Sequence, residues 1–241
     1  MLNLGTTAPY AGAASPAALA AVRTRFVKAV YQWMAGGLAL TAGTALLVAQ
    51  SPTLLMNLVM NRGLFLLLIV AELGLVVWLS GWIQKMSVRT ASWAFLGYSV
   101  LNGVTLSTIF VAYTGSSIVV TFATTAAVFG AAAAYGTLTG RDLTSVGSFA
   151  FMGLVGMIVG SLLNWFFKSP AFDWALTYVG VIVFVLLAAY DAQKVQRIGL
   201  SAAAQGEAAL SRHAILGALA LYLDFINLFL LLLRLFGRQR D

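Results

Sequence analysis

Between Thr90 and Gly140 the chain runs for 51 residues without one charged side chain. A water-facing surface cannot be built from such a stretch, so most of it must lie in hydrocarbon or in the protein interior. A single bilayer crossing takes about 20 apolar residues. The stretch is therefore long enough for two crossings, and Thr114-Gly115-Ser116-Ser117 divides it into runs at 91–113 and 117–138. Five more apolar runs follow the same pattern, at 29–49, 63–83, 145–167, 174–190 and 214–233. Composition agrees: 61% of the 241 residues are apolar and 9% are charged, against about 25% charged in a soluble domain. Seven crossings would use about 140 residues, leaving short loops and no room for a separate soluble domain.

In lipid each segment must satisfy its own backbone hydrogen bonds, and the alternation of barrel strands is absent, so all seven runs are predicted to be helices. The expectation is an all-α integral membrane protein, a seven-transmembrane helix bundle over residues 23–241. Residues 1–22 are Ala-rich, carry Pro9 and Pro16, and read as a flexible N-terminal tail rather than a signal peptide. The formal net charge is +7, but the basic residues are scattered over loops and run ends. They act as topology charges, and no nucleic-acid partner is expected. With the N-terminus cytoplasmic, Arg23, Arg25, Lys28, Lys85, Arg89, Arg141, Lys194, Arg197 and Arg212 fall inside, against Arg62, Lys168, Arg234, Arg238 and Arg240 outside. The bias favours that orientation. The three C-terminal arginines oppose it and leave open whether the last segment re-enters. Gly36 with Gly43, and Gly156 with Gly160, are spaced to form helix-packing faces.

The residues able to carry chemistry are the charges inside the runs. Glu72 is the tenth residue of 63–83 and Asp224 the eleventh of 214–233, so both lie near the bilayer centre. An ionised group there costs about 2.5–3.5 kcal/mol on insertion scales. No Lys or Arg shares that depth, so the interior is acidic and suited to protons or cations. Either acid could instead be a protonated packing residue. Ser99, Asn102 and Thr105 share a face of the third run at spacings of three, and Asn227 shares the Asp224 face. Asp191 follows the sixth run, about 13 Å from its midpoint, with Lys194 three residues on. Spacing alone makes it a surface carboxylate paired with Lys194. The chain has no cysteine and one histidine, which excludes thiolate chemistry and two-histidine zinc sites. It has no phosphate-binding loop or dinucleotide fingerprint. No enzymatic activity and no resident cofactor are expected.

Three segments resemble a known family. Tyr190-Asp191-Ala192-Gln193-Lys194-Val195-Gln196-Arg197-Ile198 is similar to the sixth-helix signature of Bax inhibitor-1 proteins. Leu221-Tyr222-Leu223-Asp224-Phe225-Ile226-Asn227-Leu228-Phe229 is similar to that of their last helix, and Tyr98-Ser99-Val100-Leu101-Asn102-Gly103 is also familial. The resemblance spans about 25–237 and points to the bacterial branch, in the inner membrane. It implies a C-terminal helix at the centre, wrapped by the other six, and a pH-sensitive calcium leak. Asp191 and Asp224 would share a proton and gate the path, binding Ca²⁺ weakly as cargo, with Glu72, Asn102 and Asn227 in support. This moves Asp191 from the surface to the interior. The family's latch arginine in the second helix is replaced at its spacing by Ile83, leaving Lys85 as a substitute. A different class of function stays open: a regulator that binds another membrane protein, such as a quality-control protease. A proton-coupled transporter is a third reading.

Overall fold

The computed structural model describes residues 16–203 and 205–240. Among them are nine α-helices: α1 (Pro16–Ala49), α2 (Pro52–Met60), α3 (Arg62–Trp82), α4 (Val88–Leu106), α5 (Ile109–Ala112), α6 (Gly115–Leu138), α7 (Thr144–Phe167), α8 (Pro170–Ala203) and α9 (Glu207–Phe236). A 3-10 turn at Ile83–Lys85 follows α3. Seven helical spans are long and apolar enough to cross a membrane: α1, α3, α4 with α5, α6, α7, α8 and α9. The seven-crossing expectation holds. Its boundaries shift in two places. Helix α1 is already formed at Pro16, so the last seven residues of the stretch read as tail are helical. Residues 1–15 lie outside the described residues. The sixth run does not stop at 190 but continues through the signature to Ala203.

Local chemistry sets several helix starts. Pro52 opens α2, where its missing N–H costs nothing. The Asn61 side chain accepts from the Leu64 amide at 3.0 Å to cap α3, and Ser87 accepts from the Thr90 amide at 3.0 Å to cap α4. Gly206 precedes α9 with φ +93, a left-handed angle that glycine adopts without strain.

Helix α9 is the core of the bundle. In its most apolar window 61% of residues are buried, against 6% for α3. Four helices pack along it, α1, α4, α6 and α8. The other two form an outer layer, α3 chiefly against α4 and α7 against α8. The central helix is thus as expected, but its direct sheath is four helices rather than six.

Apolar burial gives little drive for association in lipid, so close backbone approach has to hold such a bundle together. The glycines that provide it are not all those the spacing singled out. A methyl group built on Gly36, Gly43 or Gly156 meets nothing within 4 Å. Their shared faces point outward. The packing glycines are Gly37, where a Cβ would come within 2.7 Å of the Phe95 ring, and Gly103, within 2.6 Å of the Thr41 carbonyl oxygen. On the other side of α9, a Cβ at Gly136 would overlap the Ala189 carbonyl, and one at Gly147 would overlap the Tyr190 ring. Of the predicted pairs only Gly160 packs, against Leu176.

The chain ends on the α5–α6 turn. Thr114 N donates to the Arg238 carbonyl and Arg240 N to the Ala112 carbonyl, each at 3.0 Å. Helix α9 runs unbroken for 30 residues, about 45 Å, so the last segment crosses and does not re-enter. The C-terminus lies on the side opposite the start of α1.

Gly136→Ala should destabilise the protein by about 1–3 kcal/mol, the usual cost of overpacking. Gly130→Ala on the same helix, where a Cβ meets nothing within 4 Å, should leave Tm unchanged or raised. Thermal unfolding of the two purified variants in detergent checks this.

Candidate functional site

Two polar clusters sit on different faces of α9, joined by Tyr222 and Asp224, two residues apart. The first is built around Glu72, at the middle of α3. The Asn102 amide donates to Glu72 Oε2 at 3.2 Å, and the Thr105 hydroxyl donates to Oε1. Both partners come from one face of α4, as the spacing of Asn102 and Thr105 requires. Behind Asn102, the Tyr222 hydroxyl donates to Asn102 Oδ1 at 3.0 Å. Tyr222 also contacts Thr41 Oγ1 at 2.7 Å, and Thr41 donates to the Ser99 carbonyl at 2.8 Å. A hydrogen-bonded chain therefore crosses from α3 through α4 and α9 to α1. Its inner end, Tyr222, Thr41 and Ser99, is almost wholly sealed from solvent.

The second cluster lies between α8 and α9. Asp224 is 6% exposed, and its Oδ2 is buried without a hydrogen-bond partner. Its charged neighbours are Asp191 and Lys194, both from α8. Asp191 is only slightly exposed, and its Oδ1 lies 4.0 Å from Lys194 Nζ. The structure thus brings Asp191 and Asp224 together but forms no hydrogen bond between them. The surface pairing with Lys194 and the inward position are both realised, because α8 passes straight through the position as a helix. Glu72 is not part of this pair. Among the described residues no group of three or more His, Cys, Asp or Glu side chains converges as a metal site. The principal cavities are lined without Asp191, Asp224 or Glu72.

Comparison with known proteins agrees with this architecture. The family described as "Inhibitor of apoptosis-promoting Bax1" matches residues 23–241. The chain belongs to the Bax inhibitor-1 family. It is 48% identical to the inner membrane protein YbhL of Escherichia coli strain K12 over 215 residues, covering 89% of this chain and 92% of the relative. An uncharacterized protein of Deinococcus radiodurans is 42% identical over 220 residues, covering 91% of this chain and 92% of its own length. One of Borreliella burgdorferi is 40% identical over 220 residues, covering 91% and 94%.

The Tyr190–Ile198 segment holds more than Asp191. Gln193 is buried and ties α8 to the α6–α7 turn: its amide donates to the Arg141 carbonyl at 2.8 Å, and its Oε1 accepts from the Leu143 amide at 2.9 Å. Arg197 pairs with Asp142 at 2.9 Å. Gln193 and Tyr222 lie in the family-like segments without a role of their own expected there, and Thr41 is marked only as a polar residue inside an apolar run. Asn227 donates to the Leu223 carbonyl of its own helix at 2.8 Å. Lys85 is exposed at the end of the 3-10 turn and has no ion pair among the described residues. The base beside the pair is Lys194.

Asp142, in the turn outside the membrane spans, has its carboxyl lowered to about 2 by the Thr144 hydroxyl and amide and by Arg197. A depressed carboxyl contributes stability above its unfolded value and loses it as pH falls toward the folded one. This tether therefore stays intact through neutral pH and weakens only in strong acid. Carbon-13 titration of Asp142 should show a midpoint near 2, and Arg197→Gln should move it up toward the ordinary carboxylate range. Tyr222→Phe should cost about 1–3 kcal/mol, because it strips partners from buried Asn102 and Thr41. Denaturation of the variant in detergent measures that loss.

Proposed function

We propose that this protein is a passive, pH-gated cation leak of the inner membrane, with calcium as its cargo. The observation that carries the reading is the buried Asp224 carboxylate, its Oδ2 without a hydrogen-bond partner, beside Asp191. An ionised carboxylate in apolar surroundings needs a partner, and here a second acid supplies the nearest charge on the facing helix. One proton between them neutralises half of the pair and holds α8 against α9.

Losing that proton puts two like charges in one enclosed place. Two unit charges about 4 Å apart at an effective dielectric of about 20 repel by roughly 4 kcal/mol. About 5.5 kcal/mol turns a 1:99 equilibrium into 99:1, so one proton supplies most of what a two-state gate needs. Lys194 works against the repulsion by attracting Asp191, but it is half exposed and screened by solvent. The pair titrates as a unit with macroscopic values. Ionisation is relieved when the helices part and water reaches the carboxylates, and a hydrated pair of oxygen ligands suits weak, transient Ca²⁺ binding. The relative named an inner membrane protein supports the membrane assigned here.

Purified protein in liposomes should pass Ca²⁺ down its gradient, with a rate that rises with pH as the pair ionises. Asp191→Asn and Asp224→Asn should each flatten that profile. No flux above empty liposomes at any pH would overturn the leak and favour a regulator that acts by binding another membrane protein. Uphill Ca²⁺ movement driven by a proton gradient would replace it with a transporter.

A further inference from the structure

The gap between α1 and α6 is open to the bilayer along its length. These two helices both flank α9 without packing closely on each other, and leave a groove of about 620 Å³. Tyr31, Met34 and Leu38 form one wall, Phe129 and Gly130 the other, and Phe225 of α9 lies in the lining as well. A second cavity of about 260 Å³ lies at one end and shares Thr137 and Gln196 with the groove. Its character is different: Arg23, Arg141 and Arg197 line it.

Length, polarity and charge then select an occupant. On α1 the groove runs from Val27 to Leu38, and on α6 from Thr137 back to Ala126. Each is eleven residue steps, about 17 Å. Half of the hydrocarbon core is about 15 Å. The groove therefore reaches from one membrane surface to about the bilayer centre, the depth of one leaflet. Its inner part is apolar, and its neck carries Thr137, Gln196 and Tyr31. At the mouth Arg197 is neutralised by Asp142. Arg23 and Arg141 have no acidic partner among the described residues. Two free guanidinium groups above a leaflet-deep apolar slot match a phosphate on an acyl chain, since guanidinium pairs with phosphate through two parallel hydrogen bonds.

We infer that the α1–α6 groove and the Arg23/Arg141 pocket together form a binding site for one anionic phospholipid. An acyl chain lies against Met34, Leu38, Gly130 and Phe225, and the phosphate sits between Arg23 and Arg141. The site is separate from the α8–α9 aspartates and does not depend on the leak reading.

Native mass spectrometry of the full-length protein in detergent tests this, with dioleoylphosphatidylglycerol, dioleoylphosphatidylcholine and glycerol 3-phosphate added separately. Phosphatidylglycerol should be retained in preference to phosphatidylcholine, and glycerol 3-phosphate should not be retained. The Arg23→Gln/Arg141→Gln variant should lose about 30-fold in phosphatidylglycerol affinity, roughly fivefold for each arginine. Gly130→Phe projects into the slot from a position where a Cβ meets nothing within 4 Å. It should keep its Tm and lose the lipid. Equal retention of the two lipids would overturn the proposal, leaving only an unspecific annular contact. So would tight binding of glycerol 3-phosphate, which would make the pocket a free-anion site. A dimer that Gly130→Phe converts to monomer would assign the groove to a second copy instead.

Discussion

The close approach of α6 to α8 at Gly136 governs much of the structure. There the backbone of one helix rests on the carbonyl of Ala189 in the other, with no room for a methyl group. In hydrocarbon, apolar side chains gain little by leaving lipid, so contacts of this kind do what core burial does in water. Gly147 repeats the contact one residue further along α8, beneath the Tyr190 ring. With its backbone against α6 at Ala189 and its Tyr190 ring against α7, α8 is fixed in rotation, and the next residue, Asp191, is directed toward α9. Gln193 and Arg197 fix the same stretch to the α6–α7 turn. The position of the acidic pair thus follows from glycines on two other helices.

Charge-free length is a one-dimensional property, so the seven crossings and the mid-membrane depth of Glu72 and Asp224 are legible directly. The place of Asp191 is not. The apolar run ends at Tyr190, and nothing in the spacing reveals that helix α8 continues for more than three further turns, to Ala203. Only the likeness of the Tyr190–Ile198 segment to other proteins brought Asp191 inward. Glycine spacing misled for a related reason. Gly36 and Gly43 do share a face, but which face meets a neighbour depends on helix rotation, and Gly37 is the residue that packs. The contact of Asn102 with both Glu72 and Tyr222 requires three helices at once, which no single run encodes.

Placing α9 at the centre has a further effect. Tyr222 and Asp224 are two residues apart, about 200° around the helix, so one element carries both polar clusters on different sides. Neither cluster touches the other through hydrogen bonds, yet neither moves without α9. The Glu72 chain passes through Tyr222, and the aspartate pair begins two residues, about half a turn, further along α9. Any rotation of α9 that relieves Asp224 also pulls on the Thr41–Tyr222–Asn102 chain.

Helix α3 has its own mechanical character. Its apolar surface faces lipid almost everywhere, with Leu79 its one buried residue. Sliding or tilting it therefore exchanges one hydrocarbon surface for another, at almost no transfer free energy. Resistance comes from the packed half at Leu75, Val76, Leu79 and Ile83, and from the bonds of Asn102 and Thr105 to Glu72 at mid-span. Beyond Glu72, near Arg62 and Phe65, a gap of about 440 Å³ separates α3 from α5. The helix is a lever with one end held, a single polar catch halfway, and open travel at the other end.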